Sequence, residues 1–160
     1  MTVIVWVTEG TWQSCVDAAR AYTPPGSDVV LLHVTGDDPA AAAHGAFRGL
    51  MGRGHPERDP GTRLEAIAAD AAIGLLDAAA DRLGRTAARV ERHGRIEREV
   101  VQAAEGADLL VVARDGDRTR LGPHSLGPPT RFVVDHAPCP VLLVWPESPP
   151  AIGSIPPPPH

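Results

Sequence analysis

The strongest constraint in this chain is a set of short apolar runs that do not alternate with polar residues. Leu109-Leu110-Val111-Val112-Ala113 and Val141-Leu142-Leu143-Val144-Trp145 are the clearest. A strand with one wet face alternates. A run that is apolar at every position suits a strand buried on both faces, as in a parallel sheet covered by helices. Val3-Ile4-Val5-Trp6-Val7 and Val29-Val30-Leu31-Leu32-His33-Val34 read the same way. Helical spacing separates the runs. Trp12, Cys15, Val16, Ala19 and Tyr22 share one face of a first helix, and Ile96, Val100, Ala103 and Ala104 share one face of a later one. Between them, Leu64, Ile67, Ala71, Leu75 and Ala79 trace a buried stripe, widened by Ile73, Leu76 and Leu83. Parallel neighbours need a crossover, which is helical and right-handed. The expectation is an α/β fold: a doubly wound five-stranded parallel sheet with helices on both faces.

Local signals mark the boundaries. Thr11 offers a side-chain cap for the first helix, and Thr23-Pro24-Pro25-Gly26 stops it. Thr62-x-x-Glu65 has the capping-box pattern for a helix that runs to Leu83, with Gly84 as its C-terminal cap. Ala87 to Arg92 alternates, with Ala88 and Val90 against Arg89 and Glu91, which suits an edge strand. Residues 1–146 form one domain on this reading. Within it, residues 36–61 are rich in Gly, Pro and Ala and are expected to be a flexible insertion or lid, with Ala43, Phe47, Leu50 and Met51 on one face of a short helix. Residues 147–160 are Pro-rich and are expected to be a disordered, extended tail.

Composition excludes several functions. All fifteen basic residues are Arg and the net charge is −5. There is no basic block to grip nucleic acid and no Lys to complete a Walker-type phosphate loop. No Gly-x-Ser-x-Gly occurs, and no acid or nucleophile is spaced to use His124 or His136, so no catalytic residue is assigned and no enzyme is expected. Cys15 and Cys139 read as core residues, His44 and His55 as loop residues, and no metal is inferred. No apolar run approaches the roughly 20 residues of a membrane span. The chain enters its first strand almost at once, without a signal-peptide pattern, so a cytoplasmic protein is expected.

The segment GADLLVVARDG, then LG, then APCPVLLVW resembles the C-terminal half of the universal stress protein family. The resemblance implies a Rossmann-like sheet with strand order 3-2-1-4-5. It also implies a site for ATP or another adenine nucleotide, held by a Gly-x2-Gly-x9-Gly-Ser/Thr pattern. This chain keeps Gly116 and Gly127 but has Ala113 for the first Gly and Pro128 for the Ser or Thr, and residues 117–126, ten in all, lie between the two glycines. The family's first strand ends in Asp-Gly-Ser, whose Asp meets the adenine end; Thr8 stands there, with Glu9 one position on. By resemblance the nucleotide site therefore comprises Thr8, Glu9, Val34, Ala113, Arg114, Gly116, Gly127, Pro128, Pro129 and Thr130. Pro128 and Pro129 remove two N–H donors from the start of a helix that would face phosphate. Arg114, Arg118 and Arg120 offer cations in the same loop, two of them offset by Asp115 and Asp117.

Two readings of function follow. One is a stress-response module with a regulatory adenine-nucleotide-binding fold in which ATP binding is weak or lost. The other is a nucleotide-free dimeric scaffold that acts through protein partners. In that strand order Val141, Leu142, Leu143, Val144 and Trp145 form an apolar edge without charge or internal Pro. Such an edge invites a partner strand, so a homodimer through the last strand is expected.

Overall fold

A computed structural model describes residues 1–36 and 60–159. The elements run β1 Thr2–Trp6, α1 Trp12–Tyr22, β2 Asp28–Gly36, α2 Pro60–Leu83, β3 Ala87–Gly94, α3 Ile96–Ala103, β4 Leu109–Ala113, α4 Pro128–His136 and β5 Val141–Val144. Single turns of 3-10 helix occur at Pro123–Ser125 and Ile152–Ser154. The five strands form one sheet in the order β3-β2-β1-β4-β5, every pair parallel, as expected.

The pleat divides each apolar run between two cores. Val3, Val5 and Val7, Val29 and Leu31, and Val111 and Ala113 face α1 and α2. Ile4 and Trp6, Leu32 and Val34, and Leu110 and Val112 face α3 and α4, where Val100, Ala104 and Val133 meet them. Successive side chains point to opposite faces, so a strand with a helical layer on each side must be apolar throughout. The edge strand β3 is only part-buried: Ala87 packs toward the α1–α2 core and Val90 toward the other, but the expected alternation fails, since Ala88 is exposed beside Arg89 and Glu91 is part-buried.

The structure departs from the sequence reading at several points. Tyr22 is 72% exposed and does not join the face of Cys15, Val16 and Ala19. Thr11 is the N-cap residue of α1 but makes no side-chain cap; its hydroxyl bonds that of Thr8 instead. The Thr62 capping box does not start a helix, because α2 already begins at Pro60. The buried stripe of α2 is Ala72, Leu76, Ala79 and Leu83, while Ile67 and Ile73 are 58% and 55% exposed. After Gly61 the buried positions of this 24-residue helix begin only at Ala72, so it is the second half of α2 that packs on the sheet and on α1. The insertion expected at 36–61 falls almost wholly outside the described residues, with His44 and His55 in it. The tail is described to Pro159: its 3-10 turn places Ser154 Oγ 3.0 Å from the N–H of Leu121.

Candidate functional site

The strand order reverses between β1 and β4, whose connections leave toward opposite edges. In open α/β sheets the crevice at the carboxyl ends of such a strand pair is where ligands bind. Here it brings together the segment after β1 (Thr8, Glu9), the end of β2 (Val34) and the segment after β4 (Ala113 to Gly116). Trp6 pairs with Leu32 and Val5 with Val111, so the register carries Thr8 level with Val34, and Val7 level with Ala113. Val34 and Ala113 are buried; Glu9 is exposed.

The β1 side of the crevice is a closed polar turn. Thr8 Oγ1 lies 2.7 Å from Thr11 Oγ1, and the Thr8 carbonyl accepts the Trp12 N–H at 3.1 Å. Beneath it the ring Nδ1 of His33 sits 2.8 Å from the Val7 carbonyl oxygen. Thr8 offers a neutral hydroxyl that already has a partner.

The β4 side is a loop folded back on itself. Gly116 N–H donates to the Ser125 carbonyl and Asp117 N–H to that of His124, both at 2.8 Å. A Cβ on Gly116 would collide with the His124 carbonyl oxygen. Gly116 is thus required by the chain crossing over it. Arg114 lies over the Trp145 ring, 4.6 Å from its centroid, and donates from Nη1 to Ser125 Oγ. Arg118 Nε donates to Glu147 Oε1 at 2.7 Å, and Arg120 Nε lies 4.0 Å from Asp117 Oδ2. Hydrogen bonds from the hydroxyl and N–H of Thr119 hold the Asp117 carboxyl below the usual carboxylate range. The cations expected to grip phosphate therefore have partners within the chain.

Asp115 is the residue whose role the sequence did not reveal. It does not offset an arginine. Its Oδ1 accepts the Gly127 N–H at 2.7 Å and its Oδ2 accepts the Thr130 hydroxyl at 2.8 Å. Both carboxylate oxygens lie at the N-terminus of α4. No local pattern signals this, because the partners are 12 and 15 residues away. Pro128 and Pro129 occupy the first turn, as expected, and Thr130 is 1% exposed.

The family model of the universal stress protein family matches residues 13–144. The chain belongs to the universal stress protein family. Solved structures of similar fold include the hypothetical protein MJ0577, 20% identical, with a TM-score of 0.65 over 90% of this chain and 95% of that one. The universal stress protein UspA from Lactobacillus plantarum is 22% identical, with a TM-score of 0.57 over 90% of this chain and 97% of that one. A universal stress protein in complex with cAMP is 18% identical, with a TM-score of 0.56 over 92% of this chain and 98% of that one. No curated protein matches. At these identities the structures speak to the fold. Among the described residues no helix is long and apolar enough to cross a membrane, and no group of His, Cys, Asp or Glu is placed to hold a metal ion.

Proposed function

We propose that this universal stress protein is a regulatory, non-catalytic module of the cytoplasm. Its crevice at the β1–β4 switch point takes an adenine nucleotide or nucleoside, with ATP bound weakly or not at all. Membership of the family, and a relative of similar fold described in complex with cAMP, support an adenine ligand. The observation that carries the weak-ATP reading is the start of α4. A helix N-terminus binds phosphate through free backbone N–H groups, and here Pro128 and Pro129 have none. Hydrogen bonds to charged groups contribute about 1.5–3 kcal/mol each, so two missing donors weaken ATP by on the order of a hundredfold or more.

Calorimetric titration with ATP, AMP and adenosine tests the reading. ATP should bind no tighter than AMP or adenosine. Ala113→Gly with Pro128→Ser and Pro129→Val should strengthen ATP selectively. Submicromolar ATP affinity, or ATP released from the purified protein on denaturation, would count against the proposal. The second reading is a nucleotide-free scaffold. It is favoured by the internal partners of Arg114, Arg118 and Arg120. Failure of all three ligands to bind would select it.

A further inference from the structure

We propose that Asp115 is the specificity residue of this site: its carboxylate is a built-in anion in the seat at the start of α4, and it makes the crevice reject phosphate while admitting the uncharged nucleoside part of a ligand. The ligand class rests on the nucleotide reading above. The occupied seat does not.

The seat is defined by its donors. The N-terminus of a helix attracts anions through unsatisfied N–H groups and the positive end of its dipole. With Pro128 and Pro129 silent, the first donors of α4 are the Gly127 N–H, the Thr130 hydroxyl and the Thr130 N–H. Asp115 takes the first two, one with each oxygen, at 2.7 and 2.8 Å. This is how a bound phosphate or carboxylate would use them. The fit is close: a Cβ on Gly127 would stand 3.0 Å from Asp115 Oδ1, so glycine there lets the carboxylate approach.

An incoming phosphate must therefore displace a carboxylate or lie beside it. Lying beside it sets like charges together, and two of the loop's three cations already face acids, Arg118 with Glu147 and Arg120 with Asp117. Arg114 is the one cation left to offset them, and it is held in place by uncharged partners, the Trp145 ring and the Ser125 hydroxyl. Displacing it breaks two charge-assisted hydrogen bonds, which are the strong kind. A nucleoside has no anionic group that competes for the seat.

The test uses the full chain, with Asp115→Ala to empty the seat and Asp115→Asn to keep its shape without the charge. The probes are inorganic tripolyphosphate, ATP and adenosine. Amide resonances of Gly127 and Thr130 report the seat, and calorimetry reports affinity. In the parent chain tripolyphosphate should leave both amides unmoved. In Asp115→Ala it should shift both saturably, and the ratio of ATP to adenosine affinity should rise at least about tenfold, as loss of one charge-assisted bond's worth of competition allows. Asp115→Asn should move the same way by less. If neither folded variant gains tripolyphosphate binding at these amides, or if the parent already shows it, Asp115 is only a helix cap and the proposal is overturned. If the variants gain tripolyphosphate but no chain binds adenosine, the nucleotide reading fails and the role of Asp115 stands.

Discussion

An added methyl at Gly116 would meet the His124 carbonyl, because the loop crosses directly over it. Gly116→Ala should therefore destabilise the protein by about 1–3 kcal/mol, the usual cost of forcing atoms into a packed site. Urea denaturation of the two chains measures it, with no ligand present. A null effect would return this glycine to a ligand-binding role. The two thiols differ in the same local way. Cys15 is fully buried and its thiol is pushed up to about 12 by that burial. Cys139 is part-exposed, and its thiol is raised by partial burial and then by Asp108. Thiol alkylation followed by peptide mapping should find Cys139 modified in the native protein and Cys15 only after unfolding. Asp17 contributes to the acid response, beside Glu97 and Asp117, whose carboxyls are also held low. Hydrogen bonds from Arg82, at 2.8 Å to each oxygen, hold its carboxyl below the usual range and tie α1 to α2. A carboxylate with a depressed folded pKa stabilises above its unfolded value, about 3.9, and loses that contribution as pH falls through the lower folded value. The melting temperature should fall as pH drops below about 4, and Asp17→Asn should flatten part of that slope. An unchanged slope would show that the pair contributes nothing, the common fate of exposed ion pairs.

At the scale of elements, the tail is not a free rod. Glu147 pairs with Arg118, Ser154 Oγ accepts the Leu121 N–H, and Pro156 lies against Gly122. Three contacts fasten it across the loop that follows β4. Ending the chain at Pro146 should expose the Leu121 amide, and hydrogen exchange should speed up at residues 117–122 while β4 stays protected. Equal exchange in both chains would show the tail to be passive. Composition reads Pro-rich segments as unstructured because prolines cannot build a ladder, but it does not see a neighbour that supplies the partners. The same contrast runs through the chain. The five strands were legible because apolar runs without alternation have few alternatives to a doubly covered sheet. The stripe of α2 was legible only in its second half: Leu76, Ala79 and Leu83 are buried as read, but Ala72 was missed and Ile67 and Ile73 are exposed, because apolar residues lie on several faces of the helix and only packing selects among them. Gly116, Gly127 and the two prolines of the site could be read in sequence. Asp115 could not, since its partners are brought to it by the return of the loop and no periodicity encodes that.

For the whole molecule, the edge of β5 is where we propose that a second copy pairs. Leu142 and Val144 pack toward the α1–α2 core and Val141 and Leu143 toward the other, so all four side chains stay part-buried. What the edge offers a partner is backbone. The Val144 carbonyl accepts the Arg114 N–H at 2.9 Å and the Pro140 carbonyl accepts the Leu110 N–H at 2.9 Å. In a parallel ladder the N–H and C=O of one residue point the same way and alternate residues point oppositely. Val144 therefore faces β4, while Val141, Leu143 and Trp145 turn their backbone groups to the open edge. An apolar strand with unpaired groups and no charge or proline to block it invites a copy of itself about a two-fold axis. This separates two substitutions that look alike in sequence. Proline is tolerated in an edge strand where its missing N–H would have faced outward. Leu143→Pro should thus keep the fold and yield a monomer, whereas Val144→Pro should break the inner ladder and unfold the edge. Sedimentation velocity with circular dichroism reads both. A parent chain that sediments as a monomer at micromolar concentration, or a Leu143→Pro chain that remains a dimer, would mean that β5 is not the dimer seam.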